Sequence, residues 1–338
     1  MHLAAYRFPL FTALCCALLL VVAAAAPAGA ASADNALQLS TAPLNPAYLQ
    51  TLVNPLFSAP SSAADGRALG LRPGPQDFSY AQGIQVPASR NAPLRGALPA
   101  TYDLRSLGRV TSVKDQGSFG TCWAFASFGS LESGLLPGET RDFSEDNMVL
   151  KSGFNYPGTL YDAGGQIWMS TAYLTRWGGP VYESDDAYGD SYTPAGLTPR
   201  KHVQEVNWIP GRGSSLDNDN IKNAIMQYGG AYVAFGWSAA FYRASTASFY
   251  RGDSSSTNHA VLIVGWDDTY PSTNFGTTPP GDGAFIVRNS WGTSWGSSGY
   301  FYVSYYDTSF GRGMMGVFDN AEPTSNYTGI YQYDPLGD

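Results

Sequence analysis

The chain has 338 residues, 44% of them hydrophobic and only 14% charged, with a formal net charge of −8. That is too apolar for a disordered chain and long enough for one large domain or two of ordinary size. There is no run of Lys or Arg, which excludes nucleic acid as the main partner, because phosphate binding needs clustered cations.

In chain order, the first feature is an apolar run from Leu10 to Ala26, preceded by His2 and Arg7 and followed by small residues. It predicts a secretory signal peptide over residues 1–33, cleaved after Ala30 or Ala33, with a membrane anchor as the alternative. A run of about 17 residues is short for a span, and no second run of spanning length follows. The mature protein is therefore expected to be secreted, extracellular or at the cell surface, with no membrane span after signal removal. Cys15 and Cys16 leave with the signal, so Cys122 becomes the only cysteine and no intramolecular disulfide can form.

Residues 31–97 hold eight prolines and seven charges, a composition that favours extended chain and forbids long helices. Residues 34–97 are expected to be a Pro-rich leader, either a linker or a pro-segment lying across the domain. From Leu98 the aromatic density rises, and residues 98–338 read as the globular domain. That part carries 14 Lys/Arg against 24 Asp/Glu, a net of −10.

Within the domain, Phe125, Phe128, Leu131 and Leu135 recur at helical spacing and predict a helix over 121–136, stopped by Pro137-Gly138. A second helix is expected over 166–177, ended by Gly178-Gly179-Pro180, and a third over 219–228, ended by Gly229. Residues 231–235, 260–266, 284–290 and 300–305 are short apolar or alternating runs between Gly, Asn and Pro clusters, which predict strands. Residues 183–220 and 267–283 read as polar loops. Helices early and strands late give an α+β chain of two lobes with a cleft between them.

The lone thiol of a secreted chain calls for a chemical explanation. Cys122 falls where its helix begins, and a helix N-terminus favours thiolate over thiol. Two histidines remain in the mature chain. His202 follows Arg200 and Lys201, cations that disfavour an imidazolium, and is expected to be a solvated surface residue. His259 stands at the mouth of an apolar strand, 137 residues after Cys122, and Asn289 follows 30 residues later.

The runs Gln116-Gly117-Ser118-Phe119-Gly120-Thr121-Cys122-Trp123, Asn258-His259-Ala260 and Asn289-Ser290-Trp291-Gly292 resemble, in order, the three active-site blocks of the papain family of cysteine peptidases. The resemblance implies a papain-like fold with a helical first lobe and a β-rich second lobe. It implies a thiol protease made as a zymogen and acting on polypeptide substrates, by default as an endopeptidase, with no metal and no cofactor. Cys122 would be the nucleophile, His259 its base and then acid, Asn289 the group that orients His259, and Gln116 an oxyanion donor. Trp291 would shield the His259–Asn289 pair, and Gly164-Gly165 would form the edge that pairs with substrate backbone. The alternatives are a silent binding module on the same scaffold, or acyl transfer through the same thiol. The chain departs from the family pattern where a disulfide is usual, with Phe119 and Asp162 at those positions. Its short, Pro-rich leader is closer to bacterial and archaeal members. Tyr102-Asp103-Leu104-Arg105 resembles a mature N-terminus, so the leader is expected to be cut between about residues 88 and 101.

Overall fold

The computed structural model describes residues 43–54, 61–62, 66–86, 97–153, 160–253 and 256–327. The expected signal peptide, residues 1–33, lies outside these residues, as does most of the expected cleavage window. Among the described residues no helix is long and apolar enough to cross a membrane.

The leader contributes helix α1 (Pro46–Val53) and two short paired strands, β1 (Ser61–Ser62) and β2 (Ala68–Leu69). Asn45 starts α1 by accepting from the Ala47 N–H through its side chain. Strand β3 (Thr101–Asp103) then opens the domain, followed by α2 (Cys122–Leu135), α3 (Glu145–Lys151) and α4 (Ile167–Thr175). After β4 (His202–Ile209) come α5 (Asp219–Tyr228), β5 (Ala231–Phe235), β6 (Tyr242–Arg243), β7 (Ser248–Phe249) and β8 (His259–Asp267). Strands β9 (Ala284–Arg288), β10 (Tyr300–Ser304) and β11 (Met315–Glu322) complete the chain.

These elements form two packed lobes, the α+β arrangement expected. Helices α2, α3 and α4 enclose one core around Trp123, Phe128, Phe143, Met148 and Tyr173. The second core lies on a sheet ordered β4-β11-β5-β8-β9-β10-β7-β6, with β3 added to β8. Strand β8 is buried along its first eight residues, which explains why it reads as a continuous apolar run rather than an alternation. Its register slips between Ile263 and Gly265, and β3 approaches there. A Cβ on Gly265 would lie 2.2 Å from the Tyr102 carbonyl oxygen, so only glycine allows this third neighbour.

Helix α2 is buried through almost its whole length, including Glu132. That carboxylate is compensated by Thr111 Oγ1 at 2.6 Å, Lys114 Nζ at 3.2 Å and the Phe143 N–H at 3.0 Å. Helix α4 begins where the Gln166 side chain accepts from the Trp168 N–H, and α5 stops at Gly229, whose φ of 124° excludes most side chains.

Several expectations need correction. Residues 183–220 are not all loop, since they contain β4, which pairs with β11 over seven positions. Helix α3 was not expected, nor was β11. His202 is not solvated. It is 4% exposed, its ring is stacked on Trp177 at 4.0 Å, and its Nδ1 lies 2.8 Å from Asn326 Oδ1. The neighbouring cations do not face it, because Arg200 pairs with Asp185 and Lys201 with Glu139.

Candidate active site

Four segments bring the sequence-selected groups together. Cys122 is the first residue of α2, and its sulfur accepts from the Ala260 N–H at 3.4 Å. His259, immediately before Ala260, is the first residue of β8 and pairs in register with Phe235 of β5. Asn289 follows the end of β9, and its Oδ1 lies 2.9 Å from His259 Nε2. An amide oxygen only accepts, so the neutral ring carries its proton on Nε2 and leaves the Nδ1 lone pair open. Among the hydrogen bonds of the described residues, Nδ1 has no partner. Trp291 is fully buried and lies over the imidazole, ring centres 4.7 Å apart at 21°.

Gln116 is held from both ends. Its backbone N–H donates to the Ser290 carbonyl at 2.8 Å, and its Oε1 accepts from Ser290 Oγ at 2.6 Å. With Oε1 occupied, Nε2 is turned toward the Phe119 carbonyl at 2.8 Å and the Ala68 carbonyl at 3.1 Å. Ser290, within the Asn289-Ser290-Trp291-Gly292 run, is therefore a positioning residue for Gln116. Its adjacency to Asn289 is the only signal the sequence carries, since its partner Gln116 is 174 residues away.

The leader crosses this cleft. Arg67 donates to the Trp291 carbonyl at 2.8 Å, the Ala68 carbonyl accepts from Gln116 Nε2, and the Gly70 backbone lies close enough to act on the Cys122 sulfur. Beyond the thiol, the Gly165 N–H donates to the Gly70 carbonyl and the Arg72 N–H to the Gly165 carbonyl, both at 2.8 Å. Leu71 pairs with Gly165 in parallel. The approach is so close that a Cβ on Gly70 would lie 1.9 Å from the Gly120 oxygen, and one on Gly164 would lie 2.6 Å from the Gly70 oxygen. Gly165 backs onto the Trp123 ring in the same way. Beside this crossing lies a cavity of about 600 Å³ whose lining includes Leu71, Ile167, Tyr232, Ala234 and Met314.

Burial sets the electrostatics of the pair. Burial pushes the Cys122 thiol up to about 11, against the opposing pull of the Ala260 and Gly70 N–H groups. Burial takes the His259 imidazole down to about 4, and its bond to Asn289 offsets this in part. The helix N-terminus, expected to favour thiolate, is outweighed while water is excluded, and the covered pair is thiol and neutral imidazole.

The segments that carry the two positions without the family's usual disulfide also meet. Asp162 Oδ1 accepts from the Gly120 N–H at 2.7 Å, and the Phe119 ring stands edge-on to Tyr161 at 4.7 Å. A hydrogen bond and an aromatic contact join the segments that a covalent bridge would join.

Residues 98–318 match the family model described as papain family cysteine protease. The chain is 31% identical over 229 residues to a cathepsin L-like peptidase of Aedes aegypti, covering 64% of this chain and 62% of that one. It is also 31% identical over 227 residues to a cysteine protease of Blomia tropicalis, covering 64% of each. The match thus spans less than two thirds of the length of either relative. Among solved structures, the cysteine protease and lectin-like domains of Cwp84, a surface layer associated protein of Clostridium difficile, superpose with a TM-score of 0.66. Identity there is 26%, over 85% of this chain and 62% of that one. By its matched domain and its fold, this chain belongs to the papain family of cysteine proteases.

Proposed function

We propose that the chain is a secreted cysteine endopeptidase made as a latent precursor, with residues 34–97 as its pro-segment and 98–338 as its catalytic domain. The observation that carries this reading is the meeting of Cys122, His259, Asn289 and Gln116 at one cleft. In the uncovered cleft the Cys122 thiolate attacks the scissile carbonyl carbon while His259 holds the proton. The oxyanion takes hydrogen bonds from Gln116 Nε2 and the Cys122 N–H. When the C–N bond breaks, His259 gives its proton to the leaving amine, and an acyl-enzyme remains. His259 then takes a proton from water, whose oxygen attacks the acyl carbon, and the thiolate is released. Asn289 holds the imidazole through this cycle, and Trp291 keeps water from the pair.

The direction of the leader supports latency. Because His259 must protonate the departing amine, residues after the scissile bond belong on the His259–Trp291 side, and the acyl half belongs along Gly164-Gly165. The leader lies the other way, with Arg67 against Trp291 and Leu71 and Arg72 against Gly165. Its peptide bonds are therefore presented in reverse, with no leaving nitrogen at the imidazole. The apolar lining beside Gly165 suits an apolar side chain on the acyl half of a substrate. The Pro-rich leader and the similarity to the Cwp84 structure support a bacterial-type, secreted or surface-associated member.

The test is hydrolysis of a fluorogenic peptide library by wild type and Cys122→Ala, with N-terminal sequencing of each product. Wild type is expected to turn over peptides and to begin between about residues 88 and 101. Cys122→Ala is expected to lose at least about a thousandfold in rate and to persist uncut. Undiminished hydrolysis by Cys122→Ala, or full activity in a wild-type chain still carrying residues 34–97, breaks the reading.

A further inference from the structure

We infer that the leaving-group side of the cleft is a cation subsite, formed by the Asp115 carboxylate, the Trp291 carbonyl and the Trp291 ring, which favours substrates with Arg or Lys just beyond the scissile bond. The inference rests on the peptidase reading and names the substrate class of that same cleft.

The leader supplies the ligand. Arg67 Nη1 donates to the Trp291 carbonyl at 2.8 Å and stands 3.9 Å from Asp115 Oδ1. Its guanidinium carbon is 5.7 Å from the Trp291 ring centre, within cation–π range. One cation thus meets a carboxylate, a carbonyl and an aromatic face, three groups that all favour positive charge.

The subsite belongs to the domain and is held by backbone. Asp115 and Trp291 form an antiparallel bridge, and the Gly292 N–H donates to the Lys114 carbonyl at 3.1 Å. Asp115 Oδ1 accepts from the Gly117 N–H at 2.9 Å, which fixes the carboxylate. A Cβ on Gly292 would lie 2.7 Å from Asp115 Oδ2, so the glycine makes room for the acid beside Trp291. Lys114, next in the chain, does not neutralise Asp115, because its ammonium is committed to Glu132, Asp142 and Glu145. When the leader departs, Arg67 leaves with it, and the carboxylate keeps its place next to the imidazole's indole cover.

Position fixes the substrate residue. Trp291 lies on the His259 side, where the departing amine and the residues after it must go. A reversed chain and a substrate present side chains to the same walls, so a basic residue at the first or second place after the scissile bond meets these groups. The expected cleavage window carries Arg90 and Arg95 and no acidic residue between 88 and 101, so the chain's own processing site offers such a cation.

The experiment compares internally quenched peptides that share one acyl half and carry Arg, Lys, Gln, Leu or Glu at the first or second place after the scissile bond. For the mature wild-type enzyme, kcat/KM is expected to be about three- to tenfold higher with Arg or Lys than with Gln, and lowest with Glu. The advantage should shrink as salt is raised, because the pair is partly exposed. In Asp115→Asn the Arg-to-Gln ratio should fall toward one, and in Asp115→Lys the order of Arg and Glu should reverse. These are ratios within one protein, so an overall loss of activity in a variant does not blur them. If a variant does not fold, the wild-type series and its salt dependence stand on their own. Equal rates for Arg, Gln and Glu, a preference indifferent to salt, or an Arg preference that survives Asp115→Asn would each overturn the subsite. Hydrolysis of none of the peptides by reduced wild type would instead break the peptidase reading beneath it.

Discussion

The two walls of the cleft hold their functional groups by different means. On the sheet wall, His259 is fixed by the β5–β8 ladder, by Asn289 and by the stacked Trp291, all from the domain itself. On the helical wall, Gln116 Nε2 donates to the Ala68 carbonyl, and the Gly70 backbone lies close enough to act on the Cys122 sulfur, both residues of the leader. The sheet wall is complete without the leader. The helical wall has one oxyanion donor, Gln116 Nε2, shared between the leader's Ala68 carbonyl and its own Phe119 carbonyl, and its nucleophile is buried. On the proposed reading, the leader keeps the chain latent by covering atoms that meet developing charge, while the base and its orienting amide stay built.

The largest expected effect follows from the thiol. With its proton held to about 11 under the leader, Cys122 is thiolate at neutral pH only to about one part in 10⁴. Iodoacetamide should therefore label the precursor about a thousandfold or more slowly than the mature enzyme at pH 7. Intact mass resolves both species in one mixture. The sign is set by burial: the precursor rate should climb as pH rises toward 11, because deprotonation alone supplies the nucleophile there. In the mature enzyme the thiolate–imidazolium pair should give a bell with two limbs belonging to the pair. Equal labelling rates in the two species would show that the helical wall is not closed by the leader.

A smaller effect comes from removing the close approach. Gly70 sits where a Cβ would lie 1.9 Å from the Gly120 oxygen, a backbone atom that cannot rotate away. Gly70→Ala should lift the leader at a cost of about 2 kcal/mol, near thirtyfold in its hold on the cleft. The substitution lies in the leader, so the mature enzyme is untouched. The expected readout is hydrolysis that begins without a lag in the uncut Gly70→Ala precursor. A lag as long as that of wild type would mean that the crossing at Gly70 does not maintain latency.

Much of this was legible in the sequence, for physical reasons. Helix α5 and strand β5 run over the residues expected, because each is bounded by glycine and carries one clear period. Helix α2 and strand β8 were legible for the same reason, to within a residue or two at each end. Strand β4 was not, since its His202, Gln204, Glu205 and Asn207 give an edge strand the composition of a loop. Helix α3 was missed because it is seven residues long, with acids in its first turn. His202 was misjudged from its neighbours in sequence. Its burial comes from Trp177 and Asn326, which only the fold brings to it. In the site, Cys122, His259, Asn289 and Gln116 were readable as residue types at telling separations. The direction of the leader was not, because parallel pairing with Gly165 is a property of two strands and is written in neither.

The smallest expected effects concern the base of the helical wall, where the sheet wall offers a control. The wall's own tether is Asp162 to the Gly120 N–H and Phe119 against Tyr161, with no sulfur involved. Cys122 is the one cysteine of the described residues and it is unpaired, so dithiothreitol has no bridge to reduce there. The melting temperature should not fall with reductant, and activity should hold or rise as the thiol is kept reduced. Phe119→Ala, by contrast, removes an edge-on contact of a half-buried ring and should cost about 1–2 kcal/mol, a drop of roughly 2–8 °C for a domain of this size. The two measurements separate the kinds of tether. If reductant lowered the melting temperature while Phe119→Ala left it alone, a disulfide between molecules would be supporting the fold, and the noncovalent tether would carry no load. If Phe119→Ala lowers it and reductant does not, the helical wall keeps its loop beside the nucleophile by packing and hydrogen bonds.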